Sequence, residues 1–178
     1  MKEDLQSTTA ERLKGEFDRA FAELPAQAES GQEALLALNA GGDPYALSVS
    51  EIRALARDRP IAPVPGSAQG GFLGLAGLRG ALMPVWDLAQ ALGYARPGKA
   101  AWLAVSAAEP SWALAFEHFE GYLMLPQASL RPTAAQGPLA AFSSVSAVTE
   151  GRLRPVVDLG LLAKILQSKN PSMLKGTR

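Results

Sequence analysis

A nine-residue stretch occurs twice in this chain. Gly80-Ala81-Leu82-Met83-Pro84-Val85-Trp86-Asp87-Leu88 aligns without gaps on Gly151-Arg152-Leu153-Arg154-Pro155-Val156-Val157-Asp158-Leu159, with Gly, Leu, Pro, Val, Asp and Leu matching. Upstream of each copy lies a second matched pair. Leu36-Ala37-Leu38 followed by Tyr45-Ala46-Leu47 corresponds to Leu103-Ala104-Val105 followed by Trp112-Ala113-Leu114. The offsets are 71 and 67 residues, a difference of the kind that diverged loop lengths leave. Such self-similarity predicts two related halves, about 34–99 and 100–166, each a strand-rich unit of small-barrel size.

Local patterns fill in the halves. Leu35 to Leu38, the turn residues Gly41-Gly42-Asp43-Pro44, and Tyr45 to Val49 predict a hairpin. Ser50 is then placed to cap a predicted short helix, Glu51 to Arg57, which has to end before Pro60. Each copy of the repeated stretch predicts a strand that runs into Asp87-Leu88 or Asp158-Leu159 and on into a helix. Two recurring carboxylates invite an acid–base reading. An Asp immediately before an apolar helical stretch is also an N-cap, however, accepting a backbone N–H for about 1 kcal/mol, and its return at the same point in both halves favours that role for Asp87 and Asp158. Gly93 follows the first of these helices and Pro171 the second.

The run from Gly70 to Gly80 sets five glycines among apolar residues. A phosphate-cradling loop would continue into Lys and a hydroxyl residue, and neither follows. Arg79 breaks it as a membrane-packing motif. The expectation is a tightly bent strand in which glycine relieves crowding.

The two ends differ from the middle. Leu13, Phe17, Ala20, Phe21 and Leu24 recur at helical spacing among charged residues, which predicts an amphipathic helix over 8–24, within an N-terminal extension of residues 1–32. Residues 33–166 form the predicted domain, and 167–178 a basic tail. Although 17 basic and 17 acidic side chains balance overall, residues 1–30 hold seven acids against four bases and residues 164–178 four bases and no acid.

Several functions find no residues to perform them. Nucleic-acid binding needs a Lys/Arg excess interleaved with aromatics; Trp86, Trp102 and Trp112 lie in apolar strands without one. With no Cys and only His118, a zinc or iron–sulfur site lacks ligands, and no calcium-loop spacing of Asp occurs. His118, in Phe116-Glu117-His118-Phe119-Glu120, falls with the polar set of its strand. No Gly-x-Ser-x-Gly elbow or nucleophile–base set is present, so neither catalysis nor a cofactor is expected. The polar start Met1-Lys2-Glu3-Asp4 and the interruption of the longest apolar stretch, Phe72 to Trp86, by Arg79 and Pro84 point to a cytoplasmic chain that does not insert into a membrane. One charge stands out. Arg79 lies between Leu78 and Gly80 where burial is expected, so it needs a partner, with Glu51 the nearest candidate, or an interface in which to present itself.

In combination and order, these residues resemble the CheW family of chemotaxis coupling proteins. The matching segments are Tyr45 to Ile52, Ile61-Ala62-Pro63-Val64-Pro65-Gly66, Gly74-Leu75-Ala76-Gly77-Leu78-Arg79-Gly80, Met83 to Leu88, Leu125-Pro126 through Leu130-Arg131-Pro132, and Leu153 to Leu159. The resemblance implies a mainly β fold of two intertwined five-stranded SH3-like barrels with short helices. It further implies an adaptor without catalysis, joining the regulatory domain of a CheA-type histidine kinase to the cytoplasmic tip of a chemoreceptor and so recruited to membrane receptor arrays. Arg79 and Glu51 then match the family's paired charges in the first barrel, and Val49 and Gly74 match positions associated with partner contact. Gly77 stands where the family usually has Asn, Gly70-Gly71 lengthen a loop, and Phe116 to Phe119 replace a Val-Asp-x-Val. Together with the N-terminal helix, these departures keep a second reading open: a divergent paralogue that has lost kinase or receptor binding and scaffolds a different complex through that helix.

Overall fold

The computed structural model describes residues 31–65, 70–95, 98–133, 141–149 and 151–169. The predicted N-terminal helix and most of the basic tail lie outside them. The first half supplies β1 (Gln32–Ala40), β2 (Asp43–Ser48), β3 (Ile52–Arg57), β4 (Ile61–Ala62), β5 (Phe72–Leu78) and β6 (Ala81–Asp87), followed by a one-turn helix α1 (Leu88–Ala91). The second half supplies β7 (Trp102–Ser106), β8 (Ala113–Phe116), β9 (His118–Pro126), β10 (Leu130–Pro132), β11 (Val145–Thr149) and β12 (Arg152–Val157), then α2 (Leu159–Lys169).

Neither half forms a sheet of its own. Sheet I has the order β3-β7-β8-β6-β5-β4 and sheet II the order β10-β11-β12-β2-β1-β9. Each half therefore lends its first hairpin to the other's sheet. The two insertions correspond: β8 runs parallel to β6, with Val85 opposite Ala113, and β2 runs parallel to β12, with Val156 opposite Ala46. These are the residues that the repeat aligns. Six strands are hydrogen-bonded in each sheet where five per barrel were expected, the count including a two-residue β4 and a three-residue β10 at the edges.

Lent strands are buried on both faces. In β8, Leu114 and Phe116 enter a central core shared by the whole fold, while Ala113 and Ala115 enter a second cluster with Ala76, Met83, Val85 and Val105. In β2, Tyr45 and Leu47 face the central core and Ala46 a smaller cluster with Leu35 and Ala147. Two-sided burial explains why these segments read as continuous apolar runs with no alternation. Trp86 anchors the centre, fully buried, with edge-on contacts to Phe72 and Trp112 at ring separations of 5.3 and 6.0 Å. Leu159, Leu162 and Leu166 of α2, at helical spacing, close the central core. Each such side chain contributes about 1.5–3 kcal/mol by leaving water.

The aspartates sit at the helix starts. Gln90 N–H donates to Asp87 Oδ1 and Leu161 N–H to Asp158 Oδ1, both at 2.8 Å. One expected element is corrected. Glu51 to Arg57 is not a helix: Val49–Glu51 make a single 3-10 turn, and Ile52–Arg57 is β3, paired with β7. Here the sheet overrides the helical preference of Ala, Leu and Arg, because Ala54 and Ala56 fill one apolar cluster and Leu55 the central core.

Candidate partner-binding site

Arg79 is not buried. With Gly80 it forms the two-residue turn between Leu78 and Ala81, at φ +51° and +81°, a pair of left-handed dihedrals that suits the twist of a hairpin. The turn carries Arg79 outward to an exposed position, on the rim of a depression it shares with Arg53, Leu78 and Met83. Glu51, the partner expected for it, does not border that depression. Glu51 is half-buried in a different depression, of about 220 Å³, beside Glu33 and Asp158. Its carboxylate accepts from Leu159 N–H at the start of α2, at 3.5 Å. Burial pushes the Glu51 carboxyl above its ordinary range; hydrogen bonds from Leu159 and Gly160 oppose that, and the charges of Asp158 and Glu33 add to it. Glu33 is held in turn by Ser48 Oγ at 2.7 Å. Among the described residues no group of carboxylates and His is placed to hold a metal ion.

The other two singled-out residues lie inside. Val49 packs in the central core at 8% exposure. Gly74 is buried in β5 at φ +135°, where the strand register shifts, and a Cβ there would stand 2.1 Å from the carbonyl oxygen of Ala62. Neither presents a side chain to solvent. What they do is set the local backbone: Val49 anchors the turn that leads to Glu51, and Gly74 lets β4 close on β5. His118 is exposed on β9.

Two residues that the sequence reading left unassigned are more conspicuous. Leu82 is 70% exposed and Leu153 is 55% exposed. They occupy the same place in the two halves: Leu82 lies opposite Gly77 in the β5–β6 hairpin, and Leu153 opposite Val148 in the β11–β12 hairpin. Val148 is itself 47% exposed, which makes the second patch the broader of the two. The repeat contains the signal that finds them. A leucine matched in both copies, one residue out of phase with the inward Met83 and Arg154, has to point out of both sheets. The two halves therefore carry an exposed apolar side chain at equivalent points of their sheets.

Comparison with known proteins agrees with this architecture. The family model described as CheW-like domain matches residues 34–167. Among solved structures, the chain is similar to the scaffolding protein TtCheW from Thermoanaerobacter tengcongensis, with a TM-score of 0.66 and 19% identity, over 73% of this chain and 91% of that one. No curated protein matches the sequence.

Proposed function

Because the chain belongs to the CheW-like family, we propose that it is a non-enzymatic adaptor that couples a CheA-type histidine kinase to the cytoplasmic tip of a chemoreceptor. The observation that carries this reading is the correspondence of Leu82 with Leu153, one exposed apolar residue at the equivalent place in each interlocked sheet. A coupling protein has to touch two neighbours at once, and a duplicated fold offers two related but unequal faces for it. The first sheet carries Arg79 and Arg53, the latter paired with Glu109, at a depression by the hairpin that bears Leu82; the second has the apolar Val148 beside its leucine and the acidic Glu51 depression on the same sheet. Such contacts would bury on the order of 1,200–2,000 Å² each. Arg79 and Glu51 are assigned to partner contact, and Val49 and Gly74 to shaping the backbone beneath them.

A cytoplasmic setting fits the role; no helix among the described residues is long and apolar enough to cross a membrane. The test is a binding titration of the purified chain against a kinase regulatory domain and a receptor-tip fragment from the same genome. Leu82→Asp and Leu153→Asp should each weaken one of the two contacts at least tenfold and leave the other and the melting temperature unchanged. Full binding of both partners by the double variant would remove the basis of the proposal.

A further inference from the structure

One face of β9 carries Phe119, Tyr122 and Met124 in a row. Phe119 and Tyr122 lie opposite Leu38 and Leu36 of β1, and Met124 lies opposite Ala34; a register shift between Ala37 and Leu38 keeps all three on the face turned towards the central core. Leu123 and Leu125 turn the other way, into the cluster around Leu35 and Ala147. Trp102, at the start of β7 in sheet I, continues the row. Its ring lies 5.2 Å from that of Phe119, which lies 5.2 Å from that of Tyr122, and Arg57 stacks over the indole at 5.5 Å. The row thus bridges the two sheets along the margin of the central core. It stays partly open, for Trp102, Phe119 and Tyr122 are only partly buried and Met124 is 44% exposed. Three aromatic rings in contact, ending on an exposed methionine, make a surface that a second apolar face would cover.

Chain connection and dimensions both name the occupant. Gln32, the first residue of β1, pairs with Pro126, two residues beyond Met124, so residues 1–30 lead directly into this end of the row. The seven residues 25–31 between Leu24 and β1 can span up to about 23 Å, far more than the step from Pro126 back to Met124. The predicted apolar stripe of Leu13, Phe17, Ala20, Phe21 and Leu24 is eleven residues long, about 17 Å on a helix. From Met124 to Phe119 the row follows four residues of β1, about 14 Å, and Trp102 extends it by one ring. Stripe and row are therefore of one length, and both are apolar along it.

We propose that residues 8–24 dock on this row as an amphipathic helix, Leu24 and Phe21 against Met124 and Phe17 and Leu13 towards Tyr122, Phe119 and Trp102. The N-terminal segment then completes the margin of the central core and is not a free arm. The proposal is independent of the adaptor reading, whose Leu82 and Leu153 lie on other strands.

Chemical cross-linking of the full-length chain tests it. The protein has no Cys, so an introduced pair reports alone. Phe21→Cys with Met124→Cys, treated with a short bis-maleimide, should give a cross-linked monomer. Arg19→Cys with Met124→Cys should give none, because position 19 falls on the opposite face of the predicted helix. Adding Leu13→Asp and Phe17→Asp to the first pair should abolish the cross-link. It should also shift tryptophan emission to the red, since Trp86 and Trp112 are buried and Trp102 is the one beneath the helix. Any of three results overturns the proposal: no cross-link from position 21, equal cross-linking from positions 21 and 19, as a loosely tethered arm would give, or cross-linked dimers, which would put the segment on a second copy.

Discussion

Replacing Gly74 by alanine isolates one contact and allows its size to be worked out. The added Cβ would meet Ala62 O at 2.1 Å, Ala62 C at 2.8 Å and Pro63 Cα at 2.9 Å. All three are backbone atoms, so no side chain can swing aside; β4 has to move off β5. Overpacking against a fixed neighbour costs about 1–3 kcal/mol. Holding a side chain at φ +135°, a region populated almost only by glycine, adds a similar amount, about 1–3 kcal/mol. The sum, about 4 kcal/mol, is a large part of the stability of an ordinary domain. For a chain of this length it corresponds to a fall in melting temperature of about 8–16 °C. Gly77→Ala, three residues along the same strand, is the control: nothing lies within 4 Å of its Cβ and φ is unexceptional, so stability should stay within about 0.5 kcal/mol. Thermal unfolding followed by circular dichroism, with urea titrations for free energies, reads both. Should Gly74→Ala unfold within 2 °C of the wild type, or should Gly77→Ala cost as much, the close approach of β4 is not what holds glycine at position 74.

Three further perturbations address the charges and the ends. Since burial raises the Glu51 carboxyl pKa above 4.5, the folded protein binds that proton more tightly than the unfolded chain. The contribution is fully present below pH 4.5 and lost as pH rises through the raised value, so Glu51→Gln should be more stable than the wild type at pH 7 and equal to it near pH 4; a less stable variant at pH 7 would contradict this sign. Asp158→Ala removes the cap of an 11-residue helix that closes the central core and should cost about 1 kcal/mol by urea unfolding, most of which Asp158→Asn restores. Deleting residues 1–30 should leave binding of kinase and receptor fragments intact if the sheets carry the contacts; loss of either partner would favour the alternative in which the N-terminal segment recruits a different complex.

The repeat made most of this fold legible, because it pairs residues that the structure brings to equivalent places: Val85 with Val156, Asp87 with Asp158, Leu82 with Leu153. The aspartates could be read as caps because their role is local, decided within three residues. Ile52 to Arg57 could not be read as a strand. Ala54, Leu55 and Ala56 are buried on both faces, so the alternation that marks a strand is erased, and only the pairing with Trp102 to Ser106, far along the chain, decides the outcome. Arg79 misled for a related reason. Its apolar neighbours suggested burial, yet a two-residue turn exposes whatever it contains. The ion pair of Glu120 with Arg154 left no trace at all, since the two are 34 residues apart and meet only after β1 and β2 have been inserted between β9 and β12.

That insertion bears on how such a molecule comes to exist. A hairpin exchanged between two equivalent sheets is the arrangement of a domain-swapped dimer, here with both partners in one polypeptide. Duplication of a swapping ancestor followed by fusion would give this topology directly, whereas joining two self-contained barrels would not. Once fused, the copies can diverge in surface while each still depends on the other for two of its strands. One sheet is free to keep an arginine beside its leucine and the other a valine, but neither can be shed.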